Sequence, residues 1–210
     1  MKRAILISIL LLEFNNIFAQ VDTIKEGAYL TFFDFKKNSP TNQDSFIIIL
    51  RQLNYEFDLF KIKSGTKTIK KSILKKYVWG IYDGHNLYIN CYKISFKRGY
   101  TKAEELGRFI YCKAPPYMSL DQENSIIRSS YNFGLVGGLA STAAVYGKIG
   151  DKINYIIDLE NGIPNLLDKM YLIRILEPYS DLLEQFKQET NQDDLATLLK
   201  YIRILNAQKK

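Results

Sequence analysis

Histidine and tryptophan each occur once in this chain of 210 residues, and cysteine occurs twice. One histidine (His85) with Cys91 and Cys112 falls short of a four-ligand zinc site, so no metal site is expected. A serine-hydrolase elbow, Gly-x-Ser-x-Gly, is missing. So are the glycine-rich phosphate loop and the dinucleotide fingerprint. The nearest pair of acids, Glu104 and Glu105, is adjacent, which sends the two side chains apart. No apolar run reaches the roughly 20 residues of a membrane-spanning helix. These absences lead to the expectation of a non-enzymatic protein without metal or cofactor.

What is present starts with a leader. Lys2 and Arg3 precede an apolar core at 4–12 (AILISILLL), and polar residues separate it from Ile17-Phe18-Ala19. This is the pattern of a secretory signal peptide cut after Ala19. Removing Lys2, Arg3 and Glu13 with residues 1–19 lowers the formal charge from +7 to +6. That modest basic excess suits an anionic partner or surface, and export argues against nucleic acid. With two cysteines and an oxidising compartment, a Cys91–Cys112 bridge is one expectation and two buried thiols the other.

Fifteen tyrosines and twelve phenylalanines point to a strand-rich fold. Its centre is expected at 76–94 (KYVWGIYDGHNLYINCYKI), two apolar-aromatic runs hinged on Asp83-Gly84. Asp-Gly favours a two-residue turn, so the reading is a β-hairpin inside an antiparallel sheet. Trp79, Tyr82 and Tyr88 on it are candidate interaction aromatics. Further strands are expected at 46–50 (FIIIL), along the alternating segment 55–63, at 108–112 and at 152–159. Residues 33–40 read as one helical turn stopped by Pro40, and 97–107 as a polar, turn-rich connection.

Residues 61–76 carry seven lysines and no acid. Lys67, Lys70, Lys71 and Lys75 are the candidate anionic-surface patch; the competing reading is a solvated hairpin edge, where lysines block strand pairing. The small-residue run at 133–147 (FGLVGGLASTAAVYG) suits close helix approach, either buried in the fold or inserted in a membrane.

From Pro164 the apolar period becomes helical, with Leu166, Leu167, Met170, Ile173 and Leu176 on one face. Two more amphipathic helices follow, around Leu182–Phe186 and Leu195–Leu205, the last capped by Asn191 or Asp193. The expected fold is α+β: one domain over 20–210, strand-rich at 20–160 and helical at 164–206.

Two stretches carry a resemblance. One runs Glu26-Gly27-Ala28-Tyr29-Leu30-Thr31-Phe32-Phe33-Asp34-Phe35-Lys36-Lys37-Asn38-Ser39-Pro40. The other runs Trp79-Gly80-Ile81-Tyr82-Asp83-Gly84-His85-Asn86-Leu87-Tyr88-Ile89-Asn90. With Gly107-Arg108-Phe109 and the C-terminal helices, the chain resembles uncharacterised exported proteins of Bacteroidota that share GVYxTFxxFxxNxP and WGxxDGxxxYIN in this order. Ala28 stands where Val or Ile is commoner. The resemblance implies export and one domain, and brings no catalytic residues.

The function expected from all this is an exported, non-enzymatic accessory or binding protein of the bacterial cell envelope. It would lie in the periplasm or at the cell surface, with another envelope protein or an anionic surface as partner. The alternatives are a secreted hydrolase with an unmarked carboxylate site, separable by screening glycans and esters, and a membrane-inserting protein using residues 133–147.

Overall fold

The computed structural model describes residues 24–41, 43, 45–51, 58–95, 97–115 and 154–208. The leader at 1–19 and the small-residue run at 133–147 lie outside the described residues.

The β-branched and aromatic runs become strands of one antiparallel sheet. They are β1 (Gly27–Tyr29), β2 (Phe46–Arg51), β3 (Leu59–Ser64), β4 (Gly80–Tyr82), β5 (Leu87–Asn90), β6 (Tyr100–Glu105), β7 (Phe109–Lys113), β8 (Asn154–Asp158) and β9 (Pro164–Leu166). The strand order is β1-β4-β5-β6-β7-β8-β9. Helices interrupt and then follow the strands: α1 (Phe32–Lys36), α2 (Lys71–Lys76), α3 (Cys91–Ser95), α4 (Lys169–Leu176), α5 (Ser180–Lys187) and α6 (Leu195–Ala207). The fold is α+β, with an antiparallel sheet around an internal hairpin and amphipathic helices at the C-terminus.

The hairpin β4–β5 pairs Tyr82 with Leu87, so its loop has four residues rather than the two that Asp-Gly suggests. Asp83 explains the difference. Its carboxylate accepts from the backbone N–H of His85 (2.9 Å) and Asn86 (2.6 Å), an Asx-type turn. Only Gly84 takes positive φ in this loop, at 90°.

Beside the hairpin, β6 is the strand that three others share. Its start pairs with β5 through Ile89↔Thr101 and with β3 through Leu59↔Thr101. Its end pairs with β7 through Ala103↔Cys112. β3 and β7 therefore follow one another along the same edge of β6, and β2 hangs on β3 as a branch. The Thr101 hydroxyl stands at the fork and donates to the Lys113 carbonyl. Sequence alone suggests a turn-rich connection at 97–107. Pairing on both sides overrides that weak local preference, burying Tyr100, Thr101 and Ala103.

The sheet also curls. Laid flat, the outer strands of seven would stand about 29 Å apart at the usual strand spacing. Yet Lys36 of α1, next to β1, donates to the Glu160 carbonyl in the β8–β9 turn at 3.0 Å. Phe32 is so close to Gly162 that a Cβ there would lie 2.3 Å from the ring. The curl encloses a core of Tyr29, Trp79, Leu87, Ile89, Ile110, Cys112 and Ile157. On the other face of β7 and β8, Phe109, Tyr111 and Ile156 receive Leu172, Leu176, Phe186, Tyr201 and Ile202 from the C-terminal helices. A third cluster, with Ile62, Leu74, Val78, Ile81 and Tyr88, lies beneath α2.

The helical reading from Pro164 needs correcting at its start. Pro164–Leu166 is an edge strand on β8, where a residue without N–H costs no ladder bond. α4 begins after Asp168, whose carboxylate accepts from Tyr171 N–H at 2.7 Å. Met170, expected on the buried face, is 72% exposed. The last helix is capped by Asp194, not by Asn191 or Asp193; Asp194 accepts from Ala196 N–H at 3.1 Å and Thr197 N–H at 3.3 Å.

Candidate functional site

The lysine run folds into strand, turn and helix, with Lys61 and Lys63 in β3 beside β2 and Lys71, Lys75 and Lys76 in α2. In β3, Ile62 points into the core while Lys61 and Lys63 alternate outward. A turn with Lys67 at φ 62° then leads into α2. Leu74 buries this short helix, and Asn90 secures its end. The Asn90 amide donates to the carbonyls of Leu74 (3.2 Å), Lys75 (3.3 Å) and Val78 (2.8 Å). The Tyr100 hydroxyl donates to the Leu74 carbonyl as well. Two of the carbonyls that the helix end leaves without intrahelical partners, those of Leu74 and Lys75, are thereby met.

This arrangement brings six lysines to one cavity of about 580 Å³: Lys61, Lys63, Lys67, Lys70, Lys71 and Lys75. Arg51 at the end of β2 and Arg98 just before β6 join them. The Arg51 guanidinium reaches the Arg98 carbonyl at 3.5 Å. No acid is among the described lining residues. Beneath the cations the wall is apolar, made by Ile62, Ile69, Leu74 and Tyr100. Crowding of like charge shows at Lys75: the Lys71 ammonium lowers its pKa most, followed by burial, Arg98 and Lys61. An anion placed here would relieve that repulsion.

All four lysines read from the sequence as a patch, Lys67, Lys70, Lys71 and Lys75, line this cavity. The sequence reading missed Arg51 and Arg98. Each is a lone arginine outside the run, and only the pairings β2–β3 and β3–β6 bring them in.

Trp79, Tyr82 and Tyr88 require a correction. They are 5%, 6% and 6% exposed, so they are core residues and not a surface for a partner. The reason is that the β4–β5 hairpin is covered on both faces: Trp79 and Tyr82 join one cluster and Tyr88 the other. The motif residues of the two quoted stretches in fact meet each other. Phe35 and Phe32 stack around Trp79 at 4.8 and 5.5 Å, Tyr29 meets Phe35 edge-on at 5.3 Å, and Trp79 N–H donates to the Tyr29 carbonyl at 2.8 Å. Thr31 and Asp34 form the capping box that starts α1 between them.

Cys91 and Cys112 are both buried free thiols. Of the two expectations for them, the structure has the thiols and not the bridge. Cys91 opens α3 directly after β5 and Cys112 lies in β7, and β6 runs between those two strands; Cys91 stands beside Gly99 and Cys112 opposite Ala103. Burial pushes the Cys91 thiol up to about 12. Burial, then the neighbouring Cys91, pushes Cys112 upward too.

The acids Glu104 and Glu105 are held apart by different cations. Glu105 accepts from Arg203 at 2.8 and 2.5 Å, and Glu104 lies 3.6 Å from Lys113. His85 lies in the β4–β5 loop. Among the described residues no three His, Cys, Asp or Glu side chains converge on a metal-sized site, and no helix is long and apolar enough to cross a membrane.

The profile of a family of unknown function, DUF6563, matches residues 27–209, and the chain belongs to that family. Searches of curated proteins and of solved structures gave no match.

Proposed function

Within this family of unknown function, we propose that the chain is an exported, non-enzymatic accessory protein of the bacterial cell envelope that binds an anionic partner. The observation that carries the reading is the convergence of six lysines and two arginines on one cavity with no acid among its described lining residues. Export and a periplasmic or cell-surface location rest on the leader pattern at 1–19. Relatives among exported proteins of Bacteroidota rest on the two motifs around Tyr29 and Trp79, and are part of the same proposal.

The test is co-sedimentation with vesicles of phosphatidylglycerol and of phosphatidylcholine. The protein should bind the acidic vesicles only, and lose them as salt shortens the screening length from roughly 30 Å at 0.01 M to 3 Å at 1 M. With Lys67, Lys70, Lys71 and Lys75 all changed to Gln, binding should fall about 100-fold or more, since each lysine near an anionic surface contributes about 1 kcal/mol. Equal binding by the variant, or none by the wild type, would refute the proposal.

A further inference from the structure

Resting on that reading, we infer that the cavity takes a single anionic amphiphile, a phosphate monoester carrying an alkyl chain, rather than a hydrated anion. The division of the cavity walls is the argument. Lysine and arginine carry apolar stems that cover such a wall while their charged ends keep to water, and most of the cavity's lining surface is apolar. Below them lie Ile62, Ile69 and Leu74, all buried. Tyr100 completes the floor with its hydroxyl already given to the Leu74 carbonyl. A compact anion would engage the cations alone, whereas an alkyl chain would also cover the apolar part of the lining.

The size agrees. About 580 Å³ falls within the range of sites for organic ligands, roughly 300–1,000 Å³. Eight cations with no acid among the described lining residues favour a head of at least two negative charges, which a phosphate monoester supplies at neutral pH.

The experiment is calorimetric titration with inorganic phosphate and with butyl, hexyl and octyl phosphate, each kept below its micelle concentration, and with octyl glucoside as the uncharged probe. Each methylene that leaves water should tighten binding by up to about 4-fold, so the four that separate octyl from butyl phosphate should tighten it by up to about 250-fold. Ile69→Asn, checked for folding by its melting curve, should flatten the dependence on chain length. If that variant does not fold, the wild-type series and the four-lysine variant decide, because the latter should lose every phosphate equally. Affinity independent of chain length overturns the amphiphile while leaving the anion site of the proposed function. Octyl glucoside binding as tightly as octyl phosphate overturns it also. Failure of every phosphate, together with failure on acidic vesicles, removes both readings.

Discussion

Cys91 and Cys112 illustrate how position changes the chemistry of a side chain. Both thiols sit in the enclosed core, where the ionised form finds no water, and Cys91 is pushed from 9.0 to about 12. Tyr29 behaves alike: burial foremost, then Tyr82, raises its phenol from 10.0 to about 12, against the lowering effect of its hydrogen bond to Lys25. Below pH 9 the folded and unfolded chains both keep these protons, so the groups leave stability unchanged. Above it the unfolded chain ionises first. Stability should therefore fall from about pH 9 upward through Cys91, by up to about 1.4 kcal/mol per pH unit, with a smaller decline from Tyr29 above about pH 10. Denaturant midpoints between pH 7 and 10.5 would show the decline. A thiol reagent at pH 8 should find nothing in the native protein and two thiols after unfolding without reductant. Finding none after unfolding would mean that the cysteines are bridged.

At the scale of elements, the joint between α6 and β7 depends on one asparagine. Asn206 accepts from Phe109 N–H at 2.7 Å and donates back to the Phe109 carbonyl at 2.9 Å, pairing with the strand as another strand would. Gly107 leaves the space for it: a Cβ there would stand 2.4 Å from the Asn206 side-chain carbon. This gives Gly107-Arg108-Phe109 a structural reason. Gly107→Ala and Asn206→Ala should each destabilise the fold by about 1–3 kcal/mol, because both leave the Phe109 backbone groups without partners. Combined, they should cost little more than either alone, since they break the same contact. Urea titration of the three variants measures this, and full additivity would speak against the joint.

Across the whole molecule, charge is distributed unevenly. Much of the basic excess sits around one cavity, and Lys75 already shows the strain of its cationic neighbours. Without an anion the folded state carries a repulsion that the expanded chain relieves. Changing Lys67, Lys70, Lys71 and Lys75 to Gln should therefore raise the melting temperature at low salt. The gain should shrink toward zero by about 1 M salt, where the screening length is only about 3 Å. A variant that melts lower at every salt concentration would show that these lysines hold the fold together instead. Inorganic phosphate or octyl phosphate should raise the melting temperature of the wild type and not of the variant.

By itself the sequence determined the class of the fold and half of the candidate site. Continuous apolar runs at Phe46–Arg51 and Phe109–Lys113, and the helical period at Ser180–Lys187 and Leu195–Ala207, are local signals, legible because they lie in neighbouring residues of the chain. The lysine run was legible for the same reason: its members are neighbours in the chain. Tertiary structure decided the rest. Tyr100–Glu105 is too polar to announce a strand, and becomes one because β3, β5 and β7 all pair with it. That pairing fixes which aromatics are buried, places a strand between Cys91 and Cys112, and carries Arg51 and Arg98 to the lysines. Contacts between residues far apart in sequence leave no periodicity to read, because each depends on which strand its partner pairs with.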